Sequence, residues 1–164
     1  MELAPFLNQF CLWIFASLMI VAAWTDALDF KIPNRVIVSL LVLYPAYVMT
    51  SAHPIDWPMA LAVSTGILAV GLLLYGTRKL GAGDVKLIAA TALWAGPHLA
   101  LPFVIVTAMA GGVVSLFLFA RHSYGWVIGR PPDEKSMKLV PYGIAIATGG
   151  LFVSAKLIIN AHAV

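Results

Sequence analysis

Residues 87–120 read LIAATALWAGPHLALPFVIVTAMAGGVVSLFLFA, 34 consecutive positions without a charged side chain. At ~1.5 Å of rise per residue, one helix of that length would reach roughly 50 Å, well beyond a hydrocarbon core of ~30 Å. Gly96-Pro97-His98 places a turn signal inside the run. The stretch therefore divides into a short helix, about Asp84 to Ala95, and a full span, about Leu99 to Ala120. The shorter piece is too short to cross unaided. Such an end is tolerated inside a membrane only where protein or a water-filled cavity covers it.

The rest of the chain reads the same way. Of its 164 residues, 62% are hydrophobic and 10% are charged, whereas soluble domains carry ~25% charged residues. Further apolar runs occupy Pro5 to Thr25, Val36 to Thr50 (short, and interrupted by Pro45), Pro58 to Thr77, and Leu139 to Ile159. The expected fold is an all-α polytopic membrane protein with about six transmembrane helices, one of them short, forming a single integral-membrane domain over residues 1–164. The one cysteine, Cys11, falls inside the first apolar run, so neither a disulfide framework nor a cysteine-based zinc site is expected. No Lys or Arg precedes Lys31, so the first run reads as a retained helix rather than a cleaved signal.

Nine of the ten Lys and Arg fall in alternate loops: Lys31 and Arg35; Arg78, Lys79 and Lys86; Arg121, Arg130, Lys135 and Lys138. The intervening loops, His53 to Trp57 and Gly96 to His98, carry none. Basic residues concentrate on the cytoplasmic side of membrane proteins, so both termini are expected outside, N-out and C-out. The net charge of +3 is thus a topology signal, and no nucleic-acid partner is expected. The polar stretch from Arg121 to Lys138 reads as a solvated connector or as a surface that meets a substrate or partner.

Two segments at the cytoplasmic edge carry carboxylates, which are costly to desolvate there. One is Gly81-Ala82-Gly83-Asp84-Val85-Lys86-Leu87. Glycines allow a tight turn and a close approach of another chain, and an acid at a helix start suits the helix dipole. The other runs Asp26-Ala27-Leu28-Asp29-Phe30-Lys31-Ile32-Pro33-Asn34. Asp26 and Asp29 share a helix face if the first helix continues, and spacing alone does not choose between them. Pro33 and Asn34 could simply break the chain and cap the next helix. Lys86 reads as a topology-setting cation or as local electrostatic support. The histidines His53, His98, His122 and His162 share no ligand spacing, so no metal and no other cofactor is expected.

Asp26 followed six residues later by Ile32-Pro33-Asn34, then Gly81-Ala82-Gly83-Asp84-Val85-Lys86-Leu87, then Pro141-Tyr142-Gly143 near the start of the last helix, resembles the pattern of type IV prepilin peptidases, membrane aspartic proteases of the GxGD kind. The resemblance implies that Asp26, rather than Asp29, and Asp84 are catalytic. Gly81, Gly83, Lys86, Pro33, Asn34, Pro141, Tyr142 and Gly143 would bind substrate or support the site. Packing accounts for Tyr142 and Gly143 about as well, and Gly111-Gly112 and Gly149-Gly150 read as helix-packing positions. The paired CxxC segment of the bifunctional members has no counterpart, so no N-methyltransferase activity is expected; the chain is similar to the short, peptidase-only branch serving tight-adherence (Flp) pili.

The implied reaction is cleavage of the leader peptide of a prepilin or pseudopilin at the cytoplasmic face of the bacterial inner membrane. The lipid bilayer and the pilus assembly and protein secretion machinery would be the surroundings. Two close carboxylates share a proton and titrate as a pair. One activates water; the other polarises the scissile carbonyl and protonates the leaving amine. A proton-coupled transporter and a non-catalytic membrane scaffold are the alternatives. Transporter coupling sites usually lie at the midplane, unlike these edge residues, and a scaffold would tolerate Asn at both aspartates.

Overall fold

The computed structural model describes residues 3–77, 80–127 and 142–162. These residues form α1 (Leu3–Asp29), α2 (Asn34–Thr50), α3 (Trp57–Gly76), α4 (Ala82–Val127) and α5 (Tyr142–His162), with no strand among them. Among the described residues, four helices are long and apolar enough to cross a membrane: α1, α3, residues Ala82–Arg121 of α4, and Tyr142–Ala161 of α5. At 17 residues, α2 is shorter. The division expected at Gly96-Pro97-His98 is present inside α4: Gly96 has φ 59° and ψ −173°, outside the helical region. Residues 82–95 thus form a piece of roughly 21 Å, shorter than a bilayer core.

The burial pattern shows why this bundle requires an apolar solvent. On α1, Asn8, Cys11, Leu12, Phe15, Met19, Ala22 and Asp26 are buried along one stripe, at the three-to-four residue spacing of a single helix face. The other face exposes Phe10, Trp13, Ile20 and Trp24, residues that a water-facing surface would replace with polar ones. The first half of α4 is the central helix: Val85, Leu87, Ala89, Ala90, Thr91, Ala92, Leu93, Trp94 and Ala95 are all buried. Around it pack α2, α3 and α5, while α1 closes against α2 and α5.

Small residues set the closest approaches. A Cβ on Gly71 would lie 2.8 Å from Val85 Cγ1, and the Ser64 hydroxyl donates to the Ala89 carbonyl at 2.8 Å, seating α3 on α4. On α5, a Cβ at Gly149 would collide with Thr107 and Phe103, and one at Gly150 with Met19 and Thr91. Both are packing positions, as expected. Of the other pair, Gly111 approaches Tyr142, whereas Gly112 faces open space and packs against nothing.

Two local expectations are corrected. Pro45 does not interrupt α2, which runs unbroken from Asn34 to Thr50. A proline removes one N–H, but packing can hold the helix through it. Here the Trp94 indole donates to the Leu40 carbonyl at 3.1 Å, and Trp94 stacks with Phe15 (4.5 Å) and Tyr47 (5.0 Å). Asn34 does not cap α2; Pro33, extended at φ −62° and ψ 134°, holds the cap position without a side-chain hydrogen bond. Pro141, Arg78 and Lys79, and the stretch from Arg130 to Lys138, lie outside the described residues.

Candidate active site

Asp26 stands in the last turn of α1, on the buried stripe, and is 5% exposed. A carboxylate there needs hydrogen-bond donors. The start of α5 supplies them: the Gly143 N–H donates to Asp26 Oδ2 at 2.7 Å, and the Ile144 N–H also interacts with the carboxylate. The first amides of a helix have no partner within the helix and carry its positive end, which makes them natural donors to an anion. The contact leaves no room for a side chain on residue 143, because a Cβ there would lie 2.7 Å from Cβ, Cγ and Oδ2 of Asp26. Asp29, three residues on, is exposed. Spacing left the two open; burial separates them.

Asp84 lies in the first turn of α4 and is half-buried. Its Oδ2 accepts from the Gly81 N–H at 3.3 Å, while the Gly81 carbonyl accepts from Val85 N at 3.2 Å. The Gly81-to-Asp84 turn is thus closed on itself. A Cβ on Gly81 would come within 2.9 Å of Asp84 Oδ2. Gly83 lies against the backbone and side chain of Ile32, where a Cβ would sit 3.4 Å from Ile32 Cβ. The two cytoplasmic-edge segments found in the sequence therefore pack on one another. A second link joins them: Lys86 Nζ donates to Asn34 Oδ1 at 3.4 Å. Lys86 and Asn34 are both exposed.

The two carboxyl groups lie at the same end of the bundle, near enough for the charge on Asp26 to act on Asp84. Asp26 arrives from α1 and Asp84 from the central helix, with α5 as the wall behind Asp26. Tyr142 is at the surface, its ring against Gly111. Pro33 is exposed and bonds through its carbonyl to Val36 N at 3.0 Å. No group of three or more His, Cys, Asp or Glu able to hold a metal occurs among the described residues.

Two features of the site had no reading in the sequence. Phe30 follows α1 with φ 51°, a left-handed conformation uncommon for a residue with a side chain. It turns the chain sharply from Asp26 toward Ile32. The donor role of the Gly143 and Ile144 amides is the other; only the glycine's identity pointed that way.

Among the described residues, an all-helical bundle with apolar outer faces and two carboxylates at one end is that of a helical membrane protein. The model of the type IV leader peptidase family matches residues 13–116, a segment that contains both Asp26 and Asp84, and the chain belongs to that family of membrane peptidases. No curated protein and no solved structure matches it.

Proposed function

We propose that the protein is an aspartic endopeptidase, with Asp26 and Asp84 as its catalytic pair, that removes the leader peptide of type IV prepilins of the Flp (tight-adherence) type. The observation that carries this reading is the placement of two carboxyl groups from separate helices at one end of the bundle, where Gly83 of the Asp84 segment packs on Ile32 of the Asp26 segment. One of them, ionised, takes a proton from water as its oxygen attacks the scissile carbonyl. The other, protonated, donates to the carbonyl oxygen as it gains negative charge. Collapse of the tetrahedral intermediate breaks the C–N bond, and a carboxyl proton goes to the departing amine. The Gly143 amide holds Asp26 in place during both steps.

The family and the apolar helices support a membrane location. The distribution of Lys and Arg supports a bacterial inner membrane topology with the aspartates on the cytoplasmic face, where a prepilin's short basic leader resides. In this reading six helical segments traverse or enter the bilayer, residues 1–164 act as one peptidase domain, and the pilus assembly machinery consumes the product. Gly81, Gly83, Pro33, Asn34, Lys86 and Tyr142-Gly143 shape the site, and Pro141 precedes it in sequence.

The test is cleavage of a co-expressed Flp-type prepilin by wild type, Asp26→Asn and Asp84→Asn, read by gel shift and by the N-terminal sequence of the product. Wild type alone is expected to cut. If correctly inserted variants of both aspartates still cut, the assignment fails.

A further inference from the structure

The first turn of a helix is its least secured part. Its leading amides have no partner inside the helix, and helix ends fray. In α5 that same turn holds Asp26: the Gly143 amide donates to the carboxylate at 2.7 Å, and the Ile144 amide interacts with it as well. Donors placed there hold an anion steadily only if the turn is itself fixed from outside the helix.

The second half of α4 supplies that fixing. Gly111 is buried there, and a Cβ on it would lie 3.4 Å from Cε1 and 3.7 Å from Cδ1 of Tyr142, and 3.6 Å from the Ala145 Cβ. Tyr142 opens α5 and immediately precedes Gly143. Its ring therefore rests on bare α4 backbone, one residue from the amide that meets Asp26. Tyr142 and Ala145 stand three residues apart, on one face of α5, and Ala145 is fully buried. Further along, Gly149 meets Phe103 and Thr107 of α4, which continues the same contact between the two helices. The space at Gly111 is filled: a side chain larger than a methyl has to displace the ring or Ala145. Displacing the ring moves the first turn of α5, and residue 143 with it. Gly112, the next residue, has nothing within 4 Å. The two neighbouring glycines look alike in the sequence and stand in opposite surroundings.

We propose that Gly111 is a positioning residue for the cleavage reaction. Its missing side chain seats the Tyr142 ring, the seated ring fixes the first turn of α5, and that turn holds the Asp26 carboxyl in place. The proposal rests on the reading of Asp26 as catalytic. Positioning of this kind has a large effect on rate, because a misplacement of ~1 Å costs about 100-fold.

The experiment reads the hydrogen bond and the reaction separately. Nuclear magnetic resonance of the full chain in micelles, isotopically labelled at its glycine nitrogens, gives an amide signal for Gly143, assigned by its loss in Gly143→Ala. A short, charge-assisted bond deshields the amide proton, so Asp26→Asn is expected to move this signal upfield. Gly111→Val is expected to move it the same way. It is also expected to lower kcat for prepilin cleavage by about tenfold or more, with KM within about twofold. Adding Tyr142→Ala to Gly111→Val empties the space the ring held, and is expected to return the signal toward its wild-type position. Gly112→Val is expected to change neither the signal nor the rate. A Gly143 signal unmoved by Gly111→Val, an equal shift in Gly112→Val, or no recovery in the double variant overturns the proposal. Should Gly111→Val fail to insert, Gly111→Ala decides it through a smaller shift in the same direction. A wild type that cuts no prepilin, with the Asp26→Asn shift intact, overturns the catalytic reading of Asp26. A wild type that cuts, with the signal unmoved in Gly111→Val, overturns the role of Gly111 alone.

Discussion

Asp26 and Gly143 lie 117 positions apart in the chain, yet the amide of one donates to the carboxylate of the other at 2.7 Å. The last helix thereby holds the side chain of the first. A methyl group on residue 143 cannot be accommodated without moving Asp26. Gly143→Ala is expected to lower prepilin cleavage by about 100-fold, the usual cost of a misplaced catalytic group, while membrane insertion persists. A gel-based cleavage rate beside a protease-accessibility check of insertion measures both. Activity within a factor of two of wild type would remove Gly143 from the site.

Asp29 supplies a control on the same helix. It is exposed, and α1 ends with it. Asp29→Asn is expected to leave cleavage unchanged and stability within about 0.5 kcal/mol, as for most surface substitutions. Thermal melting in detergent and the same cleavage assay give the comparison with Asp26→Asn. Inactivation by Asp29→Asn alone would reverse the choice between the two.

The Lys86–Asn34 contact at 3.4 Å joins the two motif segments across an exposed surface. Solvent weakens such contacts, so a double-mutant cycle with Lys86→Met and Asn34→Ala is expected to yield a coupling below about 1 kcal/mol. Thermal midpoints of the four proteins report it. A coupling of several kcal/mol would show that the pair is far better shielded from solvent than its exposed position implies.

Phe30 adopts φ 51° and is 42% exposed. The left-handed region costs a non-glycine residue about 1–2 kcal/mol. A β-branched residue tolerates it least. Phe30→Val is therefore expected to melt below Phe30→Gly, by about 1 kcal/mol or more. The reverse order would show that the Phe30 ring, rather than its backbone, governs this turn.

Gly150 and Gly112 are expected to respond differently to alanine. At Gly150 a Cβ meets Met19 and Thr91, so Gly150→Ala is expected to destabilise by about 1–3 kcal/mol through overpacking. At Gly112 nothing lies within 4 Å, and Gly112→Ala is expected to be neutral or to stabilise by up to about 1 kcal/mol through helix propensity. Chemical denaturation of each variant in micelles separates the two.

The sequence by itself determined the class of the fold, because hydropathy and helix length are properties of consecutive residues. Uncharged runs longer than a bilayer core, the turn at Gly96-Pro97-His98, and the alternation of basic loops were all legible there. So were the two acidic segments, whose glycine, proline and acid spacing is local. Tertiary structure decided what depends on residues far apart in the chain. It buried Asp26 and left Asp29 outside, because only Asp26 falls on the stripe that meets α5. It carried α2 through Pro45, because Trp94 and its stacked neighbours hold that helix in place. It gave the Gly143 amide to Asp26 and laid Gly83 on Ile32, close approaches that one-dimensional spacing does not encode.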